Sequence, residues 1–89
     1  MKSHTTKRFR DALAELPQDI QRQATQAYAR FQQNPYYPSL QFKQVHEVLP
    51  VYSARVGLNY RAVGMLDANE IVWFWIGSHA EYDAILAQL

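Results

Sequence analysis

Two arginines interrupt sequence that otherwise reads as buried strand. Arg55 lies in Val51-Tyr52-Ser53-Ala54-Arg55-Val56-Gly57, and Arg61 follows Tyr60 beyond a tight Gly57-Leu58-Asn59 turn. A guanidinium in a short strand is costly unless it reaches water, a carboxylate or a phosphate. Salt bridges to Glu47, Asp67 or Glu70 are one outlet, and phosphate binding is the other. The turn decides whether the two arginines act together. With Leu58 alone as the tip they stand opposite each other on one face; with a Leu58-Asn59 loop they part to opposite faces.

His79 is the candidate for proton transfer. It sits in the first turn of the last helix, where the positive end of the helix dipole opposes protonation and nearby Glu81 favours it. An exposed histidine is the ordinary reading; as a functional group it exchanges a proton near neutral pH. Tyr82 opens a helical apolar stripe and reads first as a core anchor, with a catalytic role as the alternative. Trp73 and Trp75 are expected to share one strand face, as core, or as a base-stacking platform if that face is open. Other chemistries find little support. Gly57, Gly64 and Gly77 are too scattered to cradle a phosphate. His4, His46 and His79 fall on different elements without paired ligand spacing, so no metal site is expected.

The elements that must position these groups are legible from periodicity. Thr5 or Thr6 suits the N-cap of a first helix, in which Phe9, Ala12, Leu13 and Leu16 recur at i, i+3, i+4 and i+7. Pro17 stops it and suits the first turn of a second, whose Ile20, Ala24, Ala27, Tyr28 and Phe31 hold one face up to Asn34-Pro35. Strands are expected over Gln41–Val45, Val51–Gly57, Tyr60–Leu66 and Ile71–Ile76. The last, apolar on both faces, is expected inside the sheet and covered on both sides. Ser78-His79-Ala80-Glu81 fits a capping box, which assigns Ser78 and Glu81 structural work. Tyr82, Ile85, Leu86 and Leu89 continue as a helical stripe.

The fold class is therefore α+β. One domain spans residues 1–89: a two-helix hairpin packed on a twisted antiparallel sheet of about four strands, then a short C-terminal helix. A chain of 89 residues buries only ~60–65% of its unfolded surface, and the two Trp, six Tyr and four Phe answer that need for large core side chains. There is no cysteine, hence no disulfide framework. No apolar run approaches the ~20 residues of a membrane helix, and residence in the cytoplasm is expected. Net charge is +1, but Lys2, Lys7, Arg8 and Arg10 crowd the start without an acid. That start reads as a solvated tail or helix beginning, or as a phosphate-facing arm.

The order of these motifs resembles the RelE/ParE superfamily of toxins from bacterial type II toxin–antitoxin modules. Tyr52-Ser53-Ala54-Arg55-Val56-Gly57 followed by Tyr60-Arg61-Ala62-Val63 looks like the family's arginine-bearing hairpin. Ile71–Ile76 running into Gly77-Ser78-His79-Ala80-Glu81-Tyr82 looks like its last strand, followed by a basic residue or histidine and an aromatic. The resemblance implies a toxin neutralised by a cognate antitoxin. RelE-like members cut mRNA on the ribosome without metal or cofactor and so inhibit translation; ParE-like members poison DNA gyrase. A catalytically silent binder or corepressor is the further alternative. For an endoribonuclease, Arg55 and Arg61 would hold phosphate, His79 would exchange a proton, and Tyr82 would support it or stack. Lys43 and His46, flanking the first strand, would be secondary RNA contacts. The departure from the family is a net acidic sheet half, where Lys43, Arg55 and Arg61 face five acids.

Overall fold

A computed structural model describes residues 1–89. The α+β layout is as expected, but the sheet holds five strands and is mixed. The chain runs β1 (Lys2–Thr5), α1 (Lys7–Glu15), α2 (Gln18–Gln33), a 3-10 turn (Pro38–Leu40), β2 (Lys43–Gln44), β3 (Val51–Val56), β4 (Tyr60–Asp67), β5 (Glu70–Ser78) and α3 (His79–Gln88). The strand order is β1-β5-β4-β3-β2. Four strands form antiparallel neighbours, and β1 joins β5 in parallel, with Lys2 beside Glu70 and Thr5 beside Trp73.

The strand β1 replaces the expected tail. Its residues show no apolar alternation because an edge strand is held by its backbone rather than by buried side chains. Lys2 N–H donates to the Asn69 carbonyl and Thr6 N–H to that of Trp73, while the Trp73 indole N–H donates to Ser3 Oγ at 3.0 Å. Lys2 and His4 approach Glu70 at 4.0 and 3.8 Å. The basic start is thus partly built into the sheet. At the other edge β2 is shorter than expected, because the 3-10 turn takes Leu40 and Gln41 turns left-handed at φ 46°.

Thr6 is the N-cap of α1, its hydroxyl accepting from Phe9 N–H at 3.1 Å. The Gln21 side chain donates to the Ala14 and Leu16 carbonyls and so ties α1 to α2 across Pro17. Helix α1 rests on β5 and α2 on β3. Between them and the sheet lies the main core of Phe31, Leu40, Phe42, Ala54, Val56, Ala62, Ile71, Trp73 and Ile76. Phe31 meets Phe42 and Trp73 edge-on at 5.2 and 5.4 Å, the geometry that aromatic quadrupoles favour.

A smaller cluster of Val51, Val63 and Tyr82, with Trp75 and Leu86 against it, forms on the opposite face beneath α3. The strand β5, apolar on both sides, separates the two cores as expected. Its two tryptophans, however, do not share a face. The register slips between Val63 and Gly64, so that Val63 pairs with Trp75 but Gly64 with Trp73. Phe74 is the extra residue of a bulge, and one inserted residue inverts the alternation. Trp73 enters the helical-hairpin core and Trp75 the α3 side.

Candidate functional site

The turn between β3 and β4 settles the arginine question. Gly57, at φ 70°, begins a three-residue connection, Val56 pairs with Tyr60, and Arg55 pairs with Arg61. A positive φ at this corner favours glycine, which has no Cβ to clash. Cross-strand partners share a face, so Arg55 and Arg61 project together, on the side of α3. On the neighbouring strand Lys43 pairs with Ser53, which brings a third cation to the same face. None of the three forms an ion pair with a carboxylate: the ion pairs present are Lys2–Glu70, His4–Glu70, Lys7–Asp11 and His79–Asp83. The salt-bridge outlet is not used.

Arg61 is 5% exposed, an unusual position for a guanidinium without a carboxylate. Its Nη2 donates to Ser53 Oγ at 2.9 Å and, over a longer 3.4 Å, to the Gln41 carbonyl. Its Nη1 donates to Gln41 Oε1 at 3.3 Å. The buried Nε–H has no acceptor. Tyr82 covers one side, its ring centroid 5.2 Å from the guanidinium carbon, a cation–π distance. The Tyr82 hydroxyl donates to the same Ser53 Oγ at 3.2 Å. Every group bonded to this charge is neutral.

Arg55 is half-buried and donates from Nε to the Gly57 carbonyl at 3.1 Å, which turns it along the hairpin. Lys43 is exposed at the sheet edge. Helix α3 brings the remaining candidates. Its N-cap Ser78 accepts from Glu81 N–H at 3.2 Å, and Glu81 Oε1 accepts from Ser78 N–H at 3.2 Å and Ser78 Oγ at 2.8 Å, completing the capping box. The Ser78 hydroxyl and then its amide hold the Glu81 carboxyl below its ordinary 4.5. His79 N–H donates to the Asn59 carbonyl at 2.7 Å, clamping the start of α3 to the arginine hairpin. The His79 ring stays exposed, 5.5 Å from the Tyr82 ring and 3.9 Å from Asp83. Gly77, across from Arg61, leaves room for Trp75, whose Cζ2 would lie 2.7 Å from an added Cβ.

Arg61, Lys43, Tyr82 and His79 thus gather at one side of the sheet, with His79 at the rim. Arg55 starts from the same face but bends along the hairpin to a pocket that it lines with Gln23 and Arg30 of α2. His46 is engaged elsewhere. Its Nδ1 accepts from Val48 and Leu49 N–H at 3.1 and 2.9 Å, and Nε2 lies 3.3 Å from the Leu89 carbonyl. Sequence reasoning passed over Ser53 and Gln41. Ser53 was open to discovery, because it stands two residues before Arg55 on one strand face. Gln41 gave no signal, since its contact with Arg61 spans 20 positions.

The ParE-like toxin domain model matches residues 18–84, which contain the arginine hairpin, Gln41 and the start of α3. The chain belongs to this family. No curated protein matches it in sequence. Among solved structures, this ParE-like domain is similar to RelE in the RelB–RelE antitoxin–toxin complex from Methanococcus jannaschii. The TM-score is 0.72 at 20% identity, over 91% of this chain and 96% of that one. It is similar also to the toxin–antitoxin complex RelBE2 from Mycobacterium tuberculosis, at 0.68 and 22% over 88% and 96%. YafQ from E. coli gives 0.69 and 11% over 91% and 96%. These likenesses establish a shared fold.

Proposed function

We propose that this ParE-like domain is the toxin of a type II toxin–antitoxin module and cleaves mRNA on the ribosome. The observation that carries the reading is Arg61, buried, charged and bonded only to neutral groups. A buried cation without a carboxylate keeps its charge uncompensated and so favours an incoming anion, and a phosphodiester is the anion that fits a row of cations along a sheet. Cleavage requires loss of the ribose 2′-proton, stabilisation of a pentavalent phosphorane, and protonation of the departing 5′ oxygen. Arg61 and Arg55 carry the charge on the phosphorane, Lys43 meets the neighbouring backbone, and His79 at the rim exchanges the proton. Tyr82, buried against the guanidinium rather than open to a base, positions Arg61.

The reading includes a cognate antitoxin, because the RelE proteins from M. jannaschii and M. tuberculosis were crystallised with antitoxin partners. An antitoxin laid over the sheet and α3 would block the three cations. The test is to express the chain alone in bacteria while following growth, transcript integrity and DNA supercoiling. Growth arrest with cut transcripts and normal supercoiling is expected. Intact mRNA with altered supercoiling would instead identify a gyrase inhibitor, and unimpaired growth a silent binding protein.

A further inference from the structure

We infer that Gln41 is a specificity-determining residue, a neutral acceptor that holds the Arg61 guanidinium without neutralising it and so keeps the site open to an oxyanion. The inference rests on the phosphodiester reading for its biological ligand, but the chemistry of the seat can be tested without RNA.

Gln41 offers Arg61 two acceptors, its side-chain Oε1 at 3.3 Å and its own carbonyl at 3.4 Å. With Ser53 Oγ these occupy three of the five guanidinium hydrogens; Nε–H, shielded from solvent, and one hydrogen on Nη1 have no partner, so an oxyanion reaches them only past Gln41. Both contacts are long, as suits acceptors that steady a group without competing strongly for it. The backbone of Gln41 is left-handed, φ 46° and ψ 43°, a conformation that glycine and asparagine take more easily than glutamine. Glutamine at such a position gains nothing locally, so its value lies in the side chain. Gln41 is itself exposed, and it stands between solvent and the buried charge.

A glutamate of the same length would form the ion pair that this arginine conspicuously lacks. It would fill the anion site from within, and a ligand oxyanion would then have to displace or repel a fixed carboxylate. The other titratable groups around Arg61 are Tyr82 and His79 from α3, Arg55 from β3 and Lys43 from β2. Two carboxylates of α3 lie close by, Glu81 held by Ser78 and Asp83 beside His79. Neither pairs with Arg61, so Gln41→Glu introduces the one carboxylate within reach of the guanidinium.

The probe is inorganic sulfate, whose charge does not change between pH 4 and 8. It is titrated into the full chain while the Arg61 Nε–H resonance is followed by NMR, assigned by its loss in Arg61→Met. Sulfate should shift that resonance in the wild type. In Gln41→Glu the affinity should fall by about tenfold or more, the loss of one charge-assisted interaction. Pairing with Arg61 should hold the new carboxyl below its usual range, so the gap to wild type should persist from pH 8 down to about 4 and narrow only below that as the side chain becomes neutral; a merely structural defect would not follow that profile. Gln41→Gly, at ease with positive φ, keeps the carbonyl acceptor but loses Oε1, so it should bind about threefold more weakly than wild type at every pH, between wild type and Gln41→Glu. A wild type whose Arg61 ignores sulfate overturns the inference, as does a Gln41→Glu variant that binds equally well or a Gln41→Gly variant that loses binding to the same extent. If sulfate behaves as expected and RNA is still not cut, the endoribonuclease reading fails while the role of Gln41 stands.

Discussion

Arg61 and Tyr82 bond the same Ser53 hydroxyl, at 2.9 and 3.2 Å, while the guanidinium lies 5.2 Å from the tyrosine ring centroid. A strand cation and a helix aromatic are thereby locked to one buried oxygen. The helix α3 is consequently more than a C-terminal appendage: it covers the charge and carries His79 at its first position.

Replacing Arg61 should separate stability from function. Arg61→Met removes a buried charge that has no ionic partner, and the recovered desolvation cost offsets three hydrogen bonds to neutral groups, two of them long. The melting temperature should stay at or above that of wild type. RNA cleavage on programmed ribosomes should fall by about 100- to 1000-fold, the usual cost of losing a donor to the transition state. Calorimetry and a cleavage assay on one preparation check both.

His79→Ala should likewise spare stability and lose activity. The side chain is 57% exposed and its contact with Asp83 is 3.9 Å long, so stability should change by no more than about 0.5 kcal/mol. Cleavage should fall by about 100- to 10,000-fold. Undiminished cleavage by a folded variant would remove His79 from the mechanism.

The capping box gives a pH signature with a definite sign. Hydrogen bonds from Ser78 depress the folded-state Glu81 pKa below 4.5. A depressed carboxylate contributes stability above its unfolded pKa, and that contribution is lost as pH falls through the folded value. Glu81→Ala should therefore be less stable than wild type at pH 7 and should converge with it at strongly acid pH. Urea midpoints measured across that range decide it. Ser78→Ala, which removes the cap itself, should cost about 0.5–2 kcal/mol.

Gly64 marks the bulge that separates the tryptophans. An added Cβ would sit 2.9 Å from both Ile71 Cγ1 and Trp73 Cε3, inside a packed core where extra volume costs about 1–3 kcal/mol. Gly64→Ala should lower the urea midpoint by a corresponding amount with an unchanged denaturant slope. A midpoint equal to wild type would mean that Trp73 can move aside.

Helices, caps and the internal strand were legible from residues alone because each depends on neighbours a few positions away. Phe9, Ala12, Leu13 and Leu16 make one face at helical spacing, Ser78 and Glu81 close a capping box, and the apolar β5 must be covered on both sides. The strand β1 was not legible: backbone hydrogen bonds at a sheet edge place few demands on side chains, and its partner lies some 70 positions away. The tryptophans parted because a single bulged residue reverses which face every later side chain takes. The arginines came together because Gly57 begins a three-residue connection where a two-residue one would have split them. Amino-acid type determined that Arg55 and Arg61 needed an anion or water. Only the tertiary structure decided that Arg61 would be buried against glutamine, serine and tyrosine instead of a carboxylate, because those partners converge from separate elements through the packing of the whole sheet.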